Sequence, residues 1–169
     1  MKRYIAAIVT ACLSGCSERQ PKAVPEKETG PKMEIDFQWG GYYASKEDGQ
    51  NEYGVFRLLD FNRDAYHVAL FQEKFSEIPT LEAVLRLSPF IGHAPIDSRA
   101  LLRKQEIHLL GGPVLMEDDL EGYRFYLEHY DVSDNEIRNL FQDIIGFGRE
   151  SPMKLTLILD DGELSINER

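Results

Sequence analysis

The stretch of this chain best equipped for chemistry is Pro89-Phe90-Ile91-Gly92-His93-Ala94-Pro95-Ile96-Asp97. Two prolines and a glycine stiffen it, and His93 brings the one side chain whose charge ordinarily changes near neutral pH. His93 as general base, with Asp97 as its orienting carboxylate, would suit hydrolysis. Asp64 is an alternative carboxylate, and a glycosidase needs only two acids at the right separation. No nucleophile or second motif accompanies the pair. A connecting loop whose apolar residues plug the core, with Asp97 capping the next helix, is the simpler expectation. The catalytic set is therefore read as none, with His93 and Asp97 kept as a candidate functional loop.

Other groups are weaker. His67, His108 and His129 each fall among apolar or aromatic neighbours in segments that read as strands. They lack ligand spacing, so a zinc or copper site would need tertiary convergence. Asp60-Phe61-Asn62-Arg63-Asp64 opens like a calcium loop, but Ala65 stands where glycine belongs and Phe71 where glutamate belongs. The acidic runs Glu117-Asp118-Asp119-Glu121 and Asp160-Asp161-Glu163 read as solvated charge. Gly40-Gly41 and Gly111-Gly112-Pro113 lack the spacing of phosphate loops, and no serine sits in an activating motif. No metal or cofactor is expected. Tyr42, Tyr43, Tyr53, Tyr123, Tyr126 and Tyr130 would serve as a contact surface or as core edges.

Charge narrows the partners. The chain carries 19 basic and 29 acidic residues, a net of −10. Such a surface repels phosphate backbones, which excludes nucleic acid as a natural partner, and favours a basic protein or peptide.

The amino terminus reads Met1-Lys2-Arg3, then an apolar run from Tyr4 to Leu13, then Ser14-Gly15-Cys16. That is a short cationic segment followed by about ten apolar residues, the pattern of a secretion signal. A spanning helix needs about 20 apolar residues. Leu13-Ser14-Gly15-Cys16 resembles the lipobox of bacterial lipoproteins at all four positions. The resemblance covers residues 1–17. It implies cleavage before Cys16, a diacylglycerol on its sulfur and an acylated amino group, and so a lipid bilayer as partner. Several acyl chains make attachment effectively permanent. Ser17, where Asp would signal retention, implies the outer membrane facing the periplasm in a Gram-negative cell, or the cell surface in a Gram-positive one. Cys12 and Cys16 are the two cysteines, so the mature domain has neither thiol nor disulfide, and cysteine nucleophiles and zinc–thiolate sites are excluded.

The elements that would position these residues follow from patterning. Residues 1–15 are the signal, 16–32 the lipidated cysteine and a proline-rich charged linker, and 33–169 one acidic α+β domain. Met33 to Trp39 alternates with period two, as a strand does. Tyr53–Phe61 and Ala65–Phe71 read as a hairpin across Asn62-Arg63-Asp64. Thr80 to Leu87 predicts a short helix and Asp97 to Lys104 a second. Glu106–Leu110 and Gly122–Tyr130 read as strands. Ser133-Asp134-Asn135-Glu136 is a capping box, and Ile137, Leu140, Phe141, Ile144 and Ile145 share one helical face before Gly146 and Gly148. Met153 to Leu159 alternates, and Asp160-Asp161-Gly162-Glu163 turns into a last strand. The sum is α+β: a mainly antiparallel sheet with one principal amphipathic helix and one or two short ones.

These readings converge on an anchored envelope protein with a protein-binding or assembly role, an immunity protein against an envelope toxin among the forms it could take. The alternative is a periplasmic hydrolase built on His93 and a carboxylate. A ligand-binding module would need an apolar cavity.

Overall fold

The structure, a computed structural model, describes residues 30–62, 65–149 and 152–168. It is α+β with mainly antiparallel sheet. The strands are β1 (Lys32–Phe37), β2 (Tyr42–Glu47), β3 (Tyr53–Asn62), β4 (Ala65–Phe75), β5 (Ile91–Asp97), β6 (Lys104–Gly111), β7 (Met153–Asp160) and β8 (Glu163–Glu168), and the helices are α1 (Leu81–Val84), α2 (Glu121–His129) and α3 (Asp134–Phe147). Two antiparallel sheets form, one of order β1-β7-β8 and one of order β5-β4-β3-β2-β6. Ordered pairing starts early, since the Pro31 carbonyl accepts from the Leu159 N–H at 3.0 Å.

The five-stranded sheet is the middle layer. One face meets the small sheet, where Phe56, Leu58, Tyr66 and Val68 pack on Ile35, Phe37, Leu155 and Leu157. The other carries the helices, with Leu59 and Ala69 under Tyr123, Ile137, Phe141 and Ile144, and Tyr42, Val55 and Phe71 under Val84 of α1. The chain crosses between sheets at residues 38–41. Buried Tyr43 holds that corner: its hydroxyl accepts from the Gln38 N–H at 2.7 Å and donates to the Asp36 carbonyl at 3.0 Å. Between the sheets the remaining space is ≈ 10 Å³, about one water, so that interior holds no lipid-sized cavity.

The strongest local signal gives the longest helix. Ser133 Oγ accepts from the Glu136 N–H and the Glu136 carboxylate accepts from the Ser133 N–H, capping α3, while Ile137, Phe141 and Ile144 are buried. The β7–β8 hairpin turns through Asp161 and Gly162, both at positive φ, the combination a two-residue turn requires.

Three expectations are corrected. Gly122–Tyr130 is not a strand, because α2 occupies Glu121–His129. Its β-favouring tyrosines and phenylalanine mask a helical spacing in which Leu120, Tyr123, Tyr126 and Leu127 face the core, and acids line its N-terminal approach, where a helix dipole favours them. The Ser88–Ile96 loop becomes edge strand β5 from Ile91 onward. There Pro95 is tolerated because an edge strand can forgo one donor. Its apolar start does not plug the core, since Phe90 is 68% and Ile91 38% exposed; Ala94 and Ile96 pack inward instead. The second short helix is a 3-10 turn over Ser98–Arg103, with Asp97 as its cap.

Replacing Phe141 by Ala should cost about 3–5 kcal/mol by the truncation of a buried aromatic, and Ser133→Ala about 1 kcal/mol by loss of the cap. Urea denaturation followed by circular dichroism measures both. Equal effects would mean that α3 owes little to its packing.

Candidate functional site

Two features converge where α2 crosses the five-stranded sheet: a pair of histidines and, beside it, an open cleft. Both begin with β3, whose run Tyr-Gly-Val-Phe-Arg-Leu-Leu-Asp-Phe-Asn is buried through most of its length. Two charged residues in that run must find partners, since an isolated buried charge is strongly unfavourable.

Arg57, 7% exposed, is held by four groups, one of them the Pro113 carbonyl, which accepts from Nη2 at 3.5 Å. Its Nε donates to the Gly40 carbonyl at 3.1 Å, Nη1 pairs with Asp119 at 2.6 Å, and the guanidinium lies 5.1 Å from the Tyr42 ring centroid. Gly40 sits at φ +77°, and a Cβ there would come within 2.9 Å of the Pro113 carbonyl oxygen. The segment from Pro113 to Asp119 is thereby drawn against the sheet.

Asp60, 5% exposed, accepts from the Tyr123 hydroxyl at 2.9 Å, the Phe61 N–H at 2.8 Å and the Trp39 Nε1–H at 3.4 Å. The β3–β4 register shifts between Leu58 and Asp60. With the extra residue of a bulge, Leu59 and Asp60 both serve the helical layer. Across the ladder Asp60 pairs with His67.

His67 meets His93 of the neighbouring strand, Nδ1 to Nε2, at 2.9 Å. Their ring planes differ by 15° and their centroids lie 5.2 Å apart. That separation is what an in-plane contact between two imidazoles produces, so the rings lie edge to edge rather than face to face. Tyr123 covers both, its centroid 4.5 Å from His67 and 4.7 Å from His93. Tyr126 leans on His93 at 4.7 Å. The contact needs one N–H and one lone pair, which two neutral rings supply. Burial holds His67 below its ordinary pKa, against the pull of Asp60. Burial, and then the charge of His67, push His93 down to about 4. Desolvation and the Asp60 carboxylate raise the Tyr123 phenol.

The expected dyad does not assemble. His93 and Asp97 share β5 four residues apart, roughly 13 Å along an extended chain. Asp97 instead accepts from the Arg99 N–H at 2.8 Å. The histidine partner of His93 was not legible from spacing, because strand pairing brings the two together across 26 positions. A charged Asp60 inside an apolar strand was the available signal.

The remaining candidates separate. His108 lies in another network, 3.0 Å from Glu106, which also binds Lys46 at 2.7 Å and the Tyr53 hydroxyl at 2.5 Å. Those three contacts, Lys46 first, hold Glu106 down to about 2, so it stays a carboxylate. His129 ends α2 against Tyr130. Among the described residues no three His, Cys, Asp or Glu side chains converge on a metal-ligating arrangement. Cys16 and Asp64 lie outside the described residues.

The cleft lies on the other side of Gly92. Its floor is Tyr42, Leu59, Ala69 and Phe71, with Arg57 at one end. Leu87 and Pro89 form one wall, Gly92 and Gly122 the other, and Asp118, Asp119 and Glu121 the mouth, enclosing ≈ 350 Å³. The second wall is close-packed. A Cβ on Gly122 would come within 3.0 Å of the Gly92 carbonyl carbon, so α2 rides on β5 at backbone contact.

No protein-family model, curated protein or solved structure matches this chain.

The depressed histidines have a definite consequence for stability. An imidazole whose pKa is lower in the folded than in the unfolded chain makes unfolding take up protons as the solution acidifies. The stability it contributes is complete above about pH 6.5 and is lost as pH falls through the folded value, about 4 for His93. The urea midpoint should therefore drop between pH 6.5 and 4, and less steeply in His93→Gln. Parallel slopes in both proteins would refute the neutral, partly buried pair.

Proposed function

We propose that this chain is an envelope lipoprotein, anchored through acylated Cys16, whose acidic domain binds a protein partner without catalysing a reaction. The reading is supported first by Leu13-Ser14-Gly15-Cys16 after a short apolar run. Ser17 favours the outer membrane with the domain facing the periplasm. The observation that carries the binding role is the distribution of charge across the layers. Residues 117–143 hold nine acidic and two basic side chains, and they make up the acidic turn and the two longer helices on the outer face of the five-stranded sheet. The tethered end of the chain enters on the other face, where Pro31 joins β7. With sheets about 10 Å apart, the acidic layer sits well removed from the attachment point.

A basic polypeptide is the natural complement of that layer, and steering by opposite charge would speed its capture. An immunity protein that neutralises a basic envelope toxin is one form of this role; an accessory subunit of an envelope assembly is another. The hydrolase alternative loses Asp97 as a partner for His93, since Asp97 accepts from the Arg99 N–H instead, and its other carboxylate, Asp64, lies outside the described residues; a lipid carrier finds no cavity between the sheets.

Mass spectrometry of the native protein should find residue 16 as the amino terminus, carrying a diacylglycerol thioether, and Cys16→Ala should leave the signal attached and abolish incorporation of labelled palmitate. Met1 still in place on the wild-type protein would sink the anchor. For the binding role, a partner captured by the anchored protein should elute with rising salt, since screening weakens attraction between surface charges. Absence of a partner at every ionic strength would count against it.

A further inference from the structure

We propose that the cleft between the Leu87–Pro89 connection and α2 is the docking site for one basic side chain of the partner polypeptide. The aliphatic stem of that Lys or Arg lies along Leu59, Ala69 and Phe71, and its head meets Asp118 and Glu121. This rests on the protein-binding reading above and assigns it a surface and a chemistry.

Three observations carry it. The first is size and lining. At ≈ 350 Å³ the cleft falls near the lower end of small-ligand sites, about 300–1,000 Å³. It has room for one long side chain and its immediate neighbours. A long amphipathic side chain wants an apolar trough with a charged mouth, and this one has both.

The second is the charge balance. Arg57 is the single cation among the lining residues, against Asp118, Asp119 and Glu121. Its charge is already matched by Asp119 at 2.6 Å and its Nε by the Gly40 carbonyl. The side chains of Asp118 and Glu121 have no hydrogen-bond or ion-pair partner among the described residues. The site therefore repels anions and has two carboxylates free for an incoming cation. Arg57 itself acts as a positioning residue that fixes the mouth.

The third observation selects a polypeptide over a small polyamine. Leu85 and Phe90, exposed by 47% and 68%, stand on the same connection as the lining residues Leu87 and Pro89. They offer apolar surface to the residues flanking an inserted Lys or Arg, which a bare polyamine would leave uncovered. Two other occupants fit poorly. A second copy of this chain would bring a domain of 13 basic against 26 acidic residues over 33–169 up to an acidic mouth. The chain's own lysines at 22 and 27 precede Pro31, which enters on the opposite face of the five-stranded sheet. The α2 wall is preset by the Gly92–Gly122 contact, which lowers the ordering cost of binding.

The test uses the full acylated protein in uncharged detergent at low salt. Fluorescence anisotropy follows a labelled capped peptide, Ser-Leu-Arg-Phe-Ser, and its citrulline counterpart, which keeps the shape and loses the charge. The arginine peptide should bind at least tenfold more tightly. The double variant Asp118→Asn with Glu121→Gln should erase that preference at unchanged melting temperature, while Glu163→Gln on the distant β7–β8 turn should not. Equal affinity for both peptides, full preference in the double variant, or spermidine competing as well as the peptide would each overturn the proposal. Envelope capture separates the levels. If the double variant retains the wild-type partner with the same salt sensitivity, the cleft assignment fails and the binding reading survives. If neither protein captures a partner, the binding reading itself fails.

Discussion

Strand β3 is covered on both faces, and it carries two charges there. Everything near the candidate site depends on how those charges are compensated. Leaving a buried polar group unsatisfied costs about 1–3 kcal/mol, and more where it is charged, so Arg57 and Asp60 leave the surrounding chain little freedom. Arg57 reaches Gly40 and Asp119, tying the sheet crossover to the segment before α2. Asp60 reaches Trp39 and Tyr123, tying the same crossover to α2 itself. Two polar side chains three residues apart thus position the whole α2 side of the helical layer. The ordinary hydrophobic effect, being non-directional, would seat α2 on the sheet without choosing its place.

That placement creates both local features at once. Tyr123 hydrogen-bonds Asp60 while its ring lies over the His67–His93 contact, so the phenol that satisfies one buried carboxylate also covers buried His67 and half-buried His93. The glycine preceding Tyr123 brings α2 to backbone contact with β5. On one side of that contact Tyr123 covers the histidines; on the other, the cleft stays open between the Leu87–Pro89 connection and α2. A larger residue at position 122 would lift the helix and disturb both.

Legibility from sequence followed the range of the interaction. The α3 helix was readable because its capping box and apolar stripe lie within fourteen consecutive residues. The β3–β4 and β7–β8 pairs were readable because alternation and turn residues are local signals. The α2 helix was misread because Tyr and Phe favour strands intrinsically, and tertiary burial of Tyr123 beside its partly buried neighbours outweighed that preference. Strand β2 carries little local signal, since Ser45, Lys46 and Glu47 give no apolar alternation. It is a strand because β3 and β6 flank it and satisfy its backbone.

Composition and local pattern alone determined the excess of acid over base, the absence of cysteine beyond position 16, the lipobox-like Leu13-Ser14-Gly15-Cys16 and the α+β class. Each of these is a property of single residues or of neighbours in the chain. Tertiary structure alone decided that His93 faces His67 rather than Asp97, that Arg57 answers Asp119 across 62 positions, and that acids from one helix approach meet apolar residues from three strands to form a cleft. Those contacts arise from strand register and layer packing, which join residues far apart in the chain and leave no periodic trace in it.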